Sequence, residues 1–187
     1  AFGLDPDLIT CGNGSEEVID GIARVYARPG DEILFSEYGF LQFPIVAYRT
    51  GATPVKAPAR DLKTDVDSLL AAVTEKTKIV FVANPDNPTG TWIPTTEIRR
   101  LRDNLPGNVV LVVDSAYCEY VDDPDFSDGL ELVEGHDNVI VTRTFSKAWG
   151  LAGLRVGWGY GPAEMIGALN LMRGIGNINA MAQAGAA

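Results

Sequence analysis

"NVVLVVD" (residues 108–114) is a run of five apolar residues closed by one carboxylate, Asp114. A strand with one face in water alternates apolar and polar residues. This run does not alternate, so both of its faces need cover, as in a parallel sheet held between helices. "KIVFVAN" (78–84) and "NVIVTRT" (138–144) share this character, and "DEILFSE" (31–37) and "TPVKAPA" (53–59) complete five predicted strands. Helical periods lie between and after them. In "SEEVIDGIARVYAR" (15–28), Val18, Ile19, Ile22, Val25 and Tyr26 share a face. Asn13, with Glu16 three residues on, resembles a capping box for that helix, and Pro29-Gly30 stops it. "DVDSLLAAV" (65–73), "PTTEIRRLRDNLPG" (94–107) and "PAEMIGALNLMRG" (162–174) are helical by period, the second opening on a proline suited to a first turn. Strands alternating with helices predict an α/β protein: three layers, α/β/α, around a mostly parallel central sheet. No repeat or low-complexity linker interrupts the chain, so residues 1–187 are expected to form a single domain.

Ligands of such sheets bind beyond the carboxyl ends of the strands. Those ends are Asn84, Asp114 and Thr144, followed by "NPDNPTG" (84–90), "DSAYCEY" (114–120) and "TFSKAWG" (144–150). Three polar or glycine-rich loops on one edge mark a site. Asp114 would stand beside a buried core and needs a hydrogen-bonding or positive partner. A magnesium-binding Asp of a P-loop nucleotidase would require G-x-x-x-x-G-K-[ST], which the chain lacks. "GNGSEE" (12–17) begins as G-x-G without the third glycine of a dinucleotide fingerprint.

Lys147 stands in "TRTFSKAWGLAGLRVGWGYG" (142–161), among apolar residues and glycines. Such surroundings are expected to keep it dry, and a desolvated lysine becomes a usable amine nucleophile or base. The glycines would let backbone pass close to a bound ring. Thr144, Ser146 and Arg155, with the free N–H groups of Ser15 and Glu16 at a helix start, make a phosphate cradle, provided the Glu16 side chain points away. A Schiff-base lysine, a phosphate cradle and a buried carboxylate on one edge suit pyridoxal 5′-phosphate (PLP). The aldehyde takes the lysine, the phosphate takes the cradle, and the ring nitrogen takes the Asp.

"NPDNPTG", "DSAY" (114–117) and "TFSKAWGLAGLRVG" (144–157) resemble the signature segments of fold-type I, aspartate-aminotransferase-like PLP enzymes. "GNGSEEVI" (12–19), "SEYGF" (36–40) and "RGIGNINAMAQA" (173–184) are similar to the histidinol-phosphate aminotransferase branch, and the resemblance runs in order from Leu8 to the C-terminus. It implies that Lys147 bonds the cofactor and shuttles the proton at the substrate Cα. It implies that Asp114 pairs with the ring nitrogen, and that Asn87 and Tyr117 hydrogen-bond the phenolic oxygen. Tyr38 would stack on the ring, and Ser15, Glu16, Thr144, Ser146 and Arg155 would hold the phosphate. Pro88 and Gly90 would shape the loop around Asn87. Ser115 stands where the family often has Glu, and Ile175-Gly176 where relatives often have Pro-Phe or Pro-Tyr.

The reaction implied is transamination between glutamate and imidazole-acetol phosphate in histidine biosynthesis. Aromatic-amino-acid transamination and threonine-phosphate decarboxylation remain open beside it, as does a non-catalytic sensor domain of a transcription regulator. The resemblance also implies a homodimer in the full-length protein, with a tyrosine lent by the partner, and a further domain whose arginine binds the substrate carboxylate. The chain starts without Met and finishes in "NINAMAQAGAA" (177–187), which reads as a helix cut short. The expectation is a large-domain fragment without its N-terminal arm and small domain, which alone could be inactive.

Composition agrees with a small-molecule partner. Of 187 residues, 46% are hydrophobic and 21% charged, and the net charge is −10. That balance argues against a nucleic-acid surface or an anionic membrane. No apolar stretch approaches a membrane span and no signal peptide is visible. Cys11 and Cys118 form no metal or disulfide pattern, and a single His136, expected in a surface loop, excludes a multi-histidine metal site. No metal is expected, and the location expected is the cytoplasm.

Overall fold

The computed structural model describes residues 3–186. Seven strands make one sheet: β1 (Ile9–Gly12), β2 (Glu32–Ser36), β3 (Thr53–Ala57), β4 (Thr77–Ala83), β5 (Val110–Asp114), β6 (Val139–Thr144) and β7 (Gly157–Tyr160). Their spatial order is β1-β7-β6-β5-β4-β2-β3. Neighbours from β3 through β6 are parallel, whereas β7 runs antiparallel to both β6 and β1. The five strands expected from the sequence are all present. The two short ones, β1 and β7, carry three glycines between them and no long apolar run, so they left little period to read.

Among the described residues there are six α-helices, α1 (Ser15–Tyr26), α2 (Gln42–Thr50), α3 (Val66–Ala72), α4 (Thr95–Asn104), α5 (Ala163–Met172) and α6 (Ala180–Ala186), of which the first five cover the sheet. Both faces of the sheet are buried, which explains the uninterrupted apolar runs. One face packs Phe35, Phe81, Val112 and Ile140 against Ile19 and Ile22 of α1, Phe43 of α2 and Ile166 of α5. The other packs Leu34, Val80, Leu111 and Val141 against Leu69 of α3 and Ile98 and Leu101 of α4. The layers are therefore α/β/α. Among the described residues no helix is long and apolar enough to cross a membrane. Cys11 and Cys118 are unpaired, and His136 lies partly buried in the turn before β6.

The start of α1 differs from the expected capping box. Its N-cap is Gly14, at φ 85° and ψ 163°, with no side-chain cap. That backbone region is open essentially to glycine alone, so it moves the frame one residue on from Asn13. Glu17, not Glu16, occupies the third helical position, and its Oε2 accepts from the Asn13 backbone N–H at 2.6 Å and from Asn13 Nδ2 at 3.1 Å.

Candidate active site

The loops after β4, β5 and β6 leave the sheet on the edge where α1 begins. Between them lies a cavity of about 130 Å³, lined by Ser15, Glu16, Asn87, Asp114, Tyr117, Thr144, Ser146, Lys147 and Arg155. These are all the residues expected from the sequence to contact the cofactor, except Tyr38; Pro88 and Gly90, expected to shape the loop around Asn87, do not line the cavity. Tyr38 follows β2, is 42% exposed and is not part of the lining; Phe40 from the same loop is. The reason is the tight turn after β2. Gly39 donates its N–H back to the Ser36 carbonyl at 2.8 Å, and Phe40 meets Phe43 of α2 edge-on at 5.8 Å.

Strand alternation puts Asp114 and Thr142 side by side on the α1 face of the sheet. The Thr142 hydroxyl donates to Asp114 Oδ1 at 2.9 Å. Asp114 is 4% exposed. Burial is the largest influence on its carboxyl and pushes its pKa up to about 6, joined by the Glu16 and Asp86 carboxylates; the Thr142 hydroxyl and the Lys147 ammonium act the other way. Thr142 was missed in the sequence, although its place two residues before Thr144 on one strand put it on the same face. Asp86, also missed, is buried in the loop after β4. Its Oδ2 accepts from the Thr89 hydroxyl at 3.1 Å, while its Oδ1 has no hydrogen-bond partner. Burial raises its pKa to about 6, against the Thr89 hydroxyl and the Asn87 N–H. Asn84 does not reach the cavity. Its amide closes the loop instead, bonding both the N–H and the carbonyl of Ile93.

Lys147 was expected in dry surroundings and is exposed. Its apolar neighbours Ala148 and Trp149 lie at the surface themselves, so they do not roof the amine. The ammonium sits 5.1 Å from the centre of the Tyr117 ring, within cation–π range.

At the other end of the cavity, Ser15 and Glu16 begin α1, where N–H groups have no intrahelical acceptor. The Thr144 hydroxyl lies 3.0 Å from Ser146 Oγ and accepts the Ser146 N–H at 3.1 Å. Arg155, at φ 55°, spans the group: Nη1 is 3.5 Å from Ser146 Oγ and Nη2 donates to the Asn13 carbonyl at 3.2 Å. The Glu16 carboxylate was expected to turn away. It lies 3.4 Å from Arg155 Nη2, because the guanidinium offers it an ion pair. Two glycines permit this crowding. A Cβ on Gly14 would collide with the Arg155 guanidinium, and one on Gly157 would collide with the Ser15 backbone nitrogen. The close approach served by Gly157 is thus that of β7 to the start of α1, where a bound ring had been expected, while Gly150 and Gly153 have open space. Helix N–H groups, two hydroxyls and a guanidinium form a donor-rich set suited to a phosphate, with the Glu16 side chain as its one opposing charge. The cavity therefore fits PLP by the chemistry of its donors and by the buried carboxylate at its floor.

The sequence profile described as "Aminotransferase class I and II" matches residues 2–187. The chain is 54% identical over 183 residues to a histidinol-phosphate aminotransferase of Paramagnetospirillum magneticum, covering 98% of this chain and 50% of that protein. It is 53% identical to one of Rhodospirillum centenum, covering 98% and 51%. Its fold matches a crystal structure of histidinol-phosphate aminotransferase from Sinorhizobium meliloti in complex with pyridoxal-5′-phosphate, with a TM-score of 0.93 and 33% identity, over 98% of this chain and 50% of that one. The chain spans about half the length of the curated relatives it matches. With residues 2–187 matched and the fold shared, the chain belongs to the class I and II aminotransferase family.

Proposed function

We propose that the protein is a PLP-dependent aminotransferase that exchanges the amino group between histidinol phosphate and 2-oxoglutarate, giving imidazole-acetol phosphate and glutamate. The observation that carries this reading is one cavity with the Lys147 amine at its rim, the buried Asp114 carboxylate at its floor and the Arg155 cradle at its far end. The relatives' names support the substrate.

Bound PLP supplies an electron sink for bond breaking at the Cα of an amino acid. The chain's residues do the rest. Lys147 offers the amine that bonds the cofactor, and its nitrogen then carries the proton to and from the substrate Cα. Asp114, oriented by Thr142, meets the ring nitrogen. Asn87 and Tyr117 donate to the phenolic oxygen. Phe40 lines the cavity where Tyr38 does not, so it is the better candidate to cover the ring. The first-turn N–H groups of Ser15 and Glu16, the Thr144 and Ser146 hydroxyls and Arg155 would hold the phosphate, and the Glu16 carboxylate, now 3.4 Å from Arg155 Nη2, would have to turn away from it. The chain is, in this reading, the cofactor-binding large domain, 1–187, of a cytoplasmic homodimer.

The test mixes the PLP-loaded full-length protein with histidinol phosphate and 2-oxoglutarate and follows glutamate release. The expected result is turnover with histidinol phosphate well above that with tyrosine or phenylalanine. Faster turnover of the aromatic amino acids, or carbon dioxide released from threonine phosphate, would overturn the substrate assignment. Stable PLP binding without turnover of any donor would favour a sensor.

A further inference from the structure

Behind the cavity, on the other face of the sheet, β6 buries a cation. Thr142 and Thr144 face the site, so Arg143 between them points the opposite way. Its side chain is 5% exposed. It is held by Asp128 at 2.6 Å and Glu119 at 2.7 Å, with its guanidinium 5.6 Å over the Trp158 ring. A buried guanidinium needs such partners, and this accounts for the pairs as structure.

Glu119 does more than pair. The same oxygen that meets Arg143 accepts a hydrogen bond from Trp149 Nε1 at 3.1 Å. Trp149 is 51% exposed, so burial alone does not hold it there. It lies two residues after Lys147, in a turn closed by Gly150 N–H donating to the Lys147 carbonyl and Leu151 N–H donating to the Phe145 carbonyl, both at 2.9 Å. Glu119 itself lies two residues after Tyr117, in the short 3-10 turn Cys118–Tyr120. One carboxylate thus ties the loop that carries Tyr117 to the loop that carries Lys147, and a buried arginine fixes its place. Burial raises the Glu119 pKa, but the Arg143 hydrogen bond and charge and the Trp149 bond outweigh it, so the group is held below the usual range and stays an acceptor.

We propose that Glu119 is a positioning residue: fixed by Arg143, it anchors Trp149 and thereby sets where Lys147 stands relative to Tyr117. The proposal rests on the reading of Lys147 as the cofactor-bonding amine.

The test is a double-mutant cycle on the PLP-loaded protein with Glu119→Gln, Trp149→Phe and both together. Trp149→Phe keeps the aromatic ring and leaves the Arg143–Glu119 pair intact. PLP affinity, the pH midpoint of the bound-cofactor absorption band and the thermal midpoint of the ligand-free protein are measured. A hydrogen bond to a charged group corresponds to about a tenfold change in affinity. Trp149→Phe is expected to weaken PLP binding about that much and to move the absorption midpoint, with the thermal midpoint lowered by no more than about 5 °C. The double variant is expected to lose less than the two singles combined, because Glu119→Gln weakens, by loss of the acceptor's charge, the same bond that Trp149→Phe removes. Wild-type affinity and an unmoved midpoint in Trp149→Phe, or fully additive losses in the cycle, would overturn the proposal. If the wild-type protein binds no PLP, the failure is instead that of the functional reading.

Discussion

Asp114 is an acid placed where an acid is unwelcome. Its single side-chain partner within the sheet is the Thr142 hydroxyl, and burial lifts its pKa from 3.8 to about 6. Folding above that pH must bury the charged form, so Asp114 lowers stability at neutral pH, and the penalty fades as pH falls towards about 4. A shift of about two units corresponds to about 3 kcal/mol. Asp86 has the same raised value, so the two together are expected to make the ligand-free protein less stable as pH rises through this window. Asp114→Asn keeps the shape and removes one charge. Urea unfolding should find it more stable than wild type by up to about 3 kcal/mol at about pH 8 and equal near pH 4, with roughly half the pH slope. Wild-type stability at pH 8 in that variant would show that Asp114 is well solvated. A group kept at such a cost is what a ligand-binding floor looks like, since activity and stability draw on different arrangements.

Among the elements, what the sequence made legible followed from burial on both faces. β4, β5 and β6 were readable because an unbroken apolar run of strand length is stable only where both of its faces are covered. α1 and α4 were readable because one stripe of each is apolar. α2 was hidden by Pro44, a residue usually taken as a breaker. It falls in the first helical turn, where its missing N–H is not needed. β7 was hidden by Gly157 and Gly159, whose lack of side chains is what lets the strand lie against α1: a Cβ on Gly157 would meet Ser15 backbone, and one on Gly159 would meet Val18. The site loops were legible as chemistry, through Asn87, Asp114, Lys147 and Arg155. The positions of Tyr38 and of the Glu16 side chain were not, because a turn and an ion pair decide them. Gly157→Ala is expected to push α1 away from β7 and destabilise the protein by about 1–3 kcal/mol, with loss of the phosphate cradle. Gly153→Ala, which has open space, should change stability by less than about 0.5 kcal/mol. Equal unfolding midpoints for the two variants would contradict the close packing of β7 against α1.

At the scale of the molecule, the order of strands gathers residues that are far apart in the chain. Asp114 and Thr142 meet because β5 and β6 are parallel neighbours, and Arg155 reaches the start of α1 because β7 turns back beside β6. The floor, rim and cradle of the cavity therefore come from three separate stretches held by one sheet, and each stretch alone would pass for an ordinary loop. Cofactor capture at this cavity depends on Lys147 being the amine at the rim. The direct measurement is to incubate the protein with PLP, reduce with borohydride, digest, and locate the adduct by mass spectrometry. A single adduct on the Lys147 peptide is expected, absent from Lys147→Ala. An adduct spread over surface lysines such as Lys56 and Lys76, or unchanged PLP capture by Lys147→Ala, would contradict that role for Lys147.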